Sequence, residues 1–234
     1  VSGHCRTKGS RVAGLARHCG LVLLLAGGAL HASAAEVTVR DVASGQPLEN
    51  AVVEIFVDRE ASEADISAAQ VIQRDKTFVP HVTVVPVGGA VAFPNRDTTR
   101  HHVFSFSPAK TFEIKLYLED TPPAIVFERA GVVVLGCNIH DHMLAFIVVS
   151  EATAHAVTGA DGRARFDALP PGEHRLRVWH PRLEDTHQQW WEGRVEAGAT
   201  RDVALELRAS APLERRTSPL QQRLREAGEA GRVR

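Results

Sequence analysis

The chain has 234 residues, is 44% hydrophobic and 24% charged, and carries a formal net charge of −1. That balance excludes an intrinsically disordered chain and a membrane-embedded one, and the length permits one large domain or two small ones. With 27 basic residues against 28 acidic ones, no nucleic-acid partner is expected.

Residues 1–35 differ from the rest. "VSGHCRTKGSRVAGLARHCG" carries Arg6, Lys8, Arg11 and Arg17 with no acid, "LVLLLAGGAL" is a short apolar run, and "HASAA" supplies small residues. This order reads as a secretory signal cleaved after Ala34 or Ala35, with the periplasm as destination. The apolar run falls well short of the roughly 20 residues a membrane span needs, so the protein is expected not to cross the bilayer. Cys19 precedes that run, which argues against a lipoprotein. Removing the four basic residues leaves 23 against 28 acids, a net charge of −5. Cys5 and Cys19 leave as well, so Cys137 becomes the only thiol. No internal disulfide is then possible, and a lone thiol in an oxidising compartment lasts only if it is buried or bound.

Residues 36–150 read as strands and turns, with 70–150 as the core of a first domain. "EVTVRD" and "AVVEIF" flank the turn-rich "ASGQPLEN". The polar "DREASEADIS" is compatible with a short helix, and its Asp58, Glu60, Glu63 and Asp65 form a solvated acidic cluster that a basic partner could use. "FVPHVTVVPVGGAVAFPNRD" gives two strands broken by Gly88-Gly89. "HHVFSFS", "KTFEIKLYL", "IVFERAGVVVLGC" and "LAFIVVS" continue the pattern. Short β-branched runs with Gly and Pro punctuation predict an all-β sandwich.

Residues 151–208 form a second small β module. It holds an Asp-Gly turn in "HAVTGADGRARFDALPPGEHRLRVWHP", then the alternating "HRLRVW", then "RVEAGATRDVALELR". Trp179, Trp190 and Trp191 are expected to pack within it. His81, His155, His174, His180 and His187 are scattered and read as surface or turn residues. Residues 209–234 form a basic tail expected to be disordered.

The unusual chemistry is concentrated in "GCNIHDHM", residues 136–143, which holds Cys137, His140, His142 and the chain's one methionine, Met143. A thiolate, an imidazole and a thioether suit a soft or borderline metal. Two histidines and a cysteine with a weak axial methionine describe a type 1 copper site. The second imidazole must come from elsewhere, and "NRDTTRHHVFSF" offers His101 or His102, with His101 lying 36 residues before Cys137. Loops at one end of a sandwich bring such positions together. His142 reads as exposed rather than bound.

"FPNRDTTRHHV" and "AGVVVLGCNIHDHMLAFIVV" resemble the two copper-binding segments of the cupredoxins. The Cys-x2-His-x2-Met loop is similar to that of the amicyanins, and the chain as a whole resembles the methylamine-utilisation proteins. The resemblance is best over residues 70–150. It implies a cupredoxin-like Greek-key β-sandwich with one type 1 copper ion held by His101, Cys137, His140 and Met143. His101 is favoured over His102 because it stands six positions after Asn95. The chain departs from the amicyanin pattern at Asp141 and His142, where relatives carry less polar residues. The second module resembles the carboxypeptidase-regulatory-like, or transthyretin-like, sandwiches. "VTVRDVASGQPLENAVVEIF", residues 38–57, resembles the opening strands of the same kind of module, so a contact between 38–57 and 160–180 would make the copper domain an insertion.

The function so implied is a periplasmic blue copper protein that shuttles single electrons, not an enzyme, with a dehydrogenase or a c-type cytochrome as redox partner. A copper carrier, store or sensor would use the same ligands. A nucleophilic Cys137 with His140 as base needs a third, orienting group and an oxyanion site, which the sequence does not supply. A structural zinc site rarely recruits methionine. Multicopper enzymes would require repeated His-x-His pairs, and the one such spacing, His140-Asp141-His142, is not repeated.

Overall fold

The computed structural model describes residues 33–57, 69–118 and 121–209. Every regular element among them is a β-strand, as the alternating apolar runs predict. In chain order they are β1 (Ser33–Asp41), β2 (Val52–Phe56), β3 (Ala69–Gln70), β4 (Ile72–Arg74), β5 (Thr77–Val79) and β6 (Val82–Pro86). Then follow β7 (Gly89–Ala92), β8 (His101–Ser107), β9 (Lys110–Tyr117), β10 (Ile125–Phe127), β11 (Gly131–Gly136) and β12 (Leu144–Ser150). The last five are β13 (Ala154–Val157), β14 (Arg163–Leu169), β15 (Glu173–Trp179), β16 (Trp191–Glu196) and β17 (Thr200–Leu205). No helix of the described residues is long and apolar enough to cross a membrane.

Two sandwiches result. In the first, the five-stranded sheet β6-β12-β11-β8-β9 and the smaller sheet β10-β7-β3 share a core that includes Phe93, Val103, Phe127, Leu135 and Ile147. The second faces β14-β1-β17 against β13-β2-β15-β16 over Val37, Val53, Ile55, Phe166 and Leu176.

The division of the chain differs from the expected boundary at residue 36. Strand β1 pairs with β14 (Val37 opposite Ala164, Thr38 opposite Arg163) and, in parallel, with β17. Strand β2 lies between β13 and β15, with Val53 opposite both Ala156 and Val178. Residues 33–57 therefore complete the second sandwich, and the first is inserted between β2 and β13. The reason is burial. Val37, Val39, Val53 and Ile55 are fully buried, and the apolar faces that cover them belong to the C-terminal strands. Ser33, Ala34 and Ala35, where the signal cleavage was expected, already belong to β1, and Ala35 is buried.

A third apolar cluster joins the sandwiches: Val52, Trp179 and Leu183 pack with Val82, Val132, Phe146 and Val148. It explains why "LAFIVVS" is apolar throughout instead of alternating. Ala145, Ile147 and Val149 fill the first core, while Phe146 and Val148 face the junction, where Phe146 meets Trp179 edge-on at 5.4 Å. Trp179 is thus a junction residue, whereas Trp191 packs against the second core. His174 and His180 are buried, contrary to their reading as surface residues. The helix considered over "DREASEADIS", the acidic cluster within it, residues 1–32 and residues 210–234 lie outside the described residues.

Candidate metal centre

Two loops and one strand end meet at one edge of the first sandwich. His101 opens β8 and points inward, where alternation along the strand buries it completely. His102, on the opposite face, donates from Nε2 to Glu113 on the neighbouring strand, 2.8 Å away. Strand parity therefore turns His101, and not His102, toward Cys137. Cys137 follows the last residue of β11 and is 5% exposed. The turn after it closes with Met143 N–H donating to the His140 carbonyl at 2.9 Å. That turn leaves His140 partly exposed and returns Met143, 2% exposed, to the core cluster that holds Cys137.

The donor atoms of His101, Cys137 and His140 all lie within 4.8 Å of one another. Sγ of Cys137 is 3.9 Å from Nδ1 of His101 and 3.8 Å from Nδ1 of His140. A metal with bonds of about 2.3 Å to sulfur and about 2.0 Å to nitrogen, in trigonal or tetrahedral array, separates those atoms by roughly 3.5 to 3.7 Å. The two sulfur-to-nitrogen distances lie within a few tenths of an ångström of that span, so a small inward shift would bring the three side chains onto one ion. Met143 shares the buried apolar cluster of Cys137.

Each imidazole is prepared for ligation. His101 donates from Nε2 to Oδ2 of Asp97 at 2.7 Å, which leaves Nδ1 as the lone-pair nitrogen facing the sulfur. Desolvation, with His101, Lys76 and His142 nearby, holds His140 below the ordinary histidine range, so it is neutral near pH 7. Asp97 is buried enough to raise its pKa. The amide of Lys76, the His101 ring and the amide of Asp75 outweigh that and lower it, so the carboxylate stays ionised.

Around this set lies a polar network that the sequence reading did not identify. Asn95 donates to the Thr99 and Tyr117 carbonyls at 2.9 and 3.1 Å and accepts from the Asp97 amide at 2.9 Å. The Tyr117 hydroxyl bonds to Gln73 and to the Phe93 carbonyl, and its burial raises its pKa. Gly136 carries the ring of Phe104 where a Cβ would stand, 2.8 Å from the nearest carbon. A larger residue there would have to push the Phe104 ring aside, next to the residue that presents Cys137. Asp97, the one acid of the loop before His101, was the available signal for the carboxylate partner.

An open recess of about 350 Å³ beside the loop is lined by His102, Glu113, Lys115, Leu116, Asn138 and Ile139, none of them in the His101–Cys137–His140 group.

No family model and no curated protein matches the chain. Solved structures do. A copper-containing nitrite reductase from Thermus scotoductus is 25% identical over 42% of this chain, with a TM-score of 0.34. The chain spans about a quarter of that enzyme's length. A reduced Cu(I) form of an amicyanin mutant is 19% identical over 44% of this chain and all of its own, with a TM-score of 0.33. A purple cupredoxin from Nitrosopumilus maritimus is 24% identical over 35% of this chain and 99% of its own, with a TM-score of 0.30. These neighbours are cupredoxins or contain copper by name, and each likeness covers less than half of the chain.

Proposed function

We propose that the protein is an exported, cupredoxin-like type 1 copper protein that passes single electrons between redox partners, with His101, Cys137, His140 and Met143 as ligands. The observation that carries this reading is the pair of sulfur-to-nitrogen distances, 3.9 and 3.8 Å, around a thiol that is otherwise buried. Copper in such a site supplies reversible one-electron chemistry. The chain supplies the rest: a thiolate and two neutral imidazoles held by separate elements, a buried surround that excludes water, and one partly exposed imidazole, His140, as the point of contact for a dehydrogenase or a c-type cytochrome. Export to the periplasm follows from the expected signal segment.

Burial separates this from the carrier reading. His101, Cys137 and Met143 are all at most 5% exposed, which favours retention of the metal over hand-off. It also bears on the nucleophile reading. Cys137, His101 and Asp97 have the order of nucleophile, base and orienting acid, but a fully buried base and a 5% exposed sulfur leave no place for a substrate.

The test is addition of Cu(II) to the full chain. An intense visible thiolate-to-copper band is expected, lost in Cys137→Ser; a parent protein without the band would end the type 1 assignment. Reversible one-electron voltammetry then separates electron transfer from transport, since a carrier should release or exchange the metal on reduction.

A further inference from the structure

The two ligand-bearing loops are joined by hydrogen bonds that run through the tip of the β4–β5 hairpin. Asp75 and Lys76 form that tip with φ of 52° and 56°, left-handed values that non-glycine residues seldom adopt. Their conformation directs both amides to one carboxylate: Asp75 N–H donates to Asp97 Oδ1 at 2.6 Å and Lys76 N–H to Asp97 Oδ2 at 3.0 Å. Asp97 in turn accepts from Nε2 of His101 at 2.7 Å. On the other side of the tip, the Lys76 carbonyl accepts from Nε2 of His142 at 3.0 Å. His142 is exposed, lies two residues beyond His140 and one before Met143, and its ring centroid is 6.1 Å from that of His140.

We infer that Asp97 and His142 are positioning residues that fasten the His101 loop and the Cys137–Met143 loop to one another through the Asp75–Lys76 turn. The inference rests on the metal-binding reading and adds the device that keeps its ligands in register. Asp97 fixes the His101 tautomer, with hydrogen on Nε2 and the lone pair on Nδ1 toward Cys137 Sγ. His142 restrains the one ligand loop that faces solvent, the loop whose middle residue is His140. The polar residue that departs from the amicyanin pattern thereby has a task directed inward to the hairpin. Fixed ligands also change little between oxidation states, which outer-sphere electron transfer requires.

The test uses the full chain with and without copper. In the metal-free protein, long-range proton–nitrogen spectra should show His101 as the Nε2–H tautomer and slow exchange of the Asp75 and Lys76 amides. Asp97→Ala should mix the tautomers and speed both amides. Asp97→Asn, whose single oxygen cannot serve His101 and the turn together, should do so in part and covers the case in which the alanine variant does not fold. With Cu(II), His142→Phe should keep the visible band but lose copper to a chelator about tenfold faster, in line with the 10- to 100-fold effect typical of ligand-supporting residues, and His142→Gln, which keeps a donor, should restore much of the difference. Parental chelator kinetics in His142→Phe, or an unchanged His101 tautomer in both Asp97 variants, would overturn the inference. A parent protein that takes up no copper would defeat the metal reading instead, and the metal-free spectra would still decide the brace.

Discussion

His101 and His180 are both buried histidines, one in each sandwich, and their surroundings differ in kind. His180, 6% exposed, spends both ring nitrogens on backbone: Nε2 donates to the Glu49 carbonyl at 3.2 Å, and Nδ1 accepts from the Arg182 amide at 3.1 Å. His101 spends one nitrogen on Asp97 and keeps the other for a sulfur and a second imidazole. Other buried groups of the enclosing sandwich also end on main chain, Thr158 on the Leu48 carbonyl at 2.6 Å and His174 on the Pro170 carbonyl at 2.8 Å. In the inserted sandwich His101 keeps a lone pair beside the Cys137 sulfur. A buried histidine whose nitrogens are both engaged by backbone is architecture, whereas one lone pair aimed at a thiol is a ligand in waiting.

The largest effect should come from removing that lone pair. His101→Ala is expected to abolish the visible copper band altogether and to leave Asp97 without its imidazole donor, both measurable by Cu(II) titration and by the shifted environment of the Asp75 and Lys76 amides. If the band survived, His101 would not be a ligand and the contrast with His180 would dissolve.

Next in size is a purely architectural pair. Glu54 is fully buried in β2, and Arg177 of β15 donates to it while lying over the Phe56 and Trp190 rings. Arg177→Ala strands a buried carboxylate, and a loss of about 3 to 5 kcal/mol in urea unfolding is expected. The proposed copper site, formed by other strands, should keep its spectrum in the folded fraction.

His180 makes the comparison sensitive to pH. Burial is the first cause that pushes its pKa down to about 4, with Arg182 and His81 adding to it. The folded protein therefore keeps the ring neutral, while the unfolded chain protonates it near pH 6.5. Stability from this residue is complete above about pH 6.5 and is lost as the pH falls toward 4, on the order of 3 kcal/mol in all. His180→Gln should flatten that part of the pH–stability curve, and an unchanged slope would show that the ring is not held neutral.

The smallest effect is expected at His102, adjacent in sequence to His101 but on the other face of β8. His102→Gln should leave the copper band unchanged and alter stability by no more than about 0.5 kcal/mol, as for a partly exposed pair with Glu113. A lost band would mean that strand parity had been misassigned.

Much of this was legible in the residues. The strands follow from their apolar periods, and the spacing of Cys137, His140 and Met143 requires only a tight turn, so local sequence was sufficient to bring them forward. The likeness of residues 38–57 to the strands after 160 pointed toward the pairing seen between β1 and β14. Asp97, Asp75 and Lys76 were not legible as a group, because a two-residue turn acquires its role only when another loop presents a carboxylate to its amides. Nor was the burial of His174, His180 or Glu54, since each depends on strands far away in the chain.

Sequence alone thus determined the class of architecture and brought forward most of a candidate ligand set, because alternation and short spacings are local properties of the backbone. Tertiary structure decided which of two adjacent histidines faces the thiol, which sandwich owns the first two strands, and what holds the ligand loops together. Each of those outcomes depends on which face of a strand is covered, in β1 by a partner strand more than a hundred positions away.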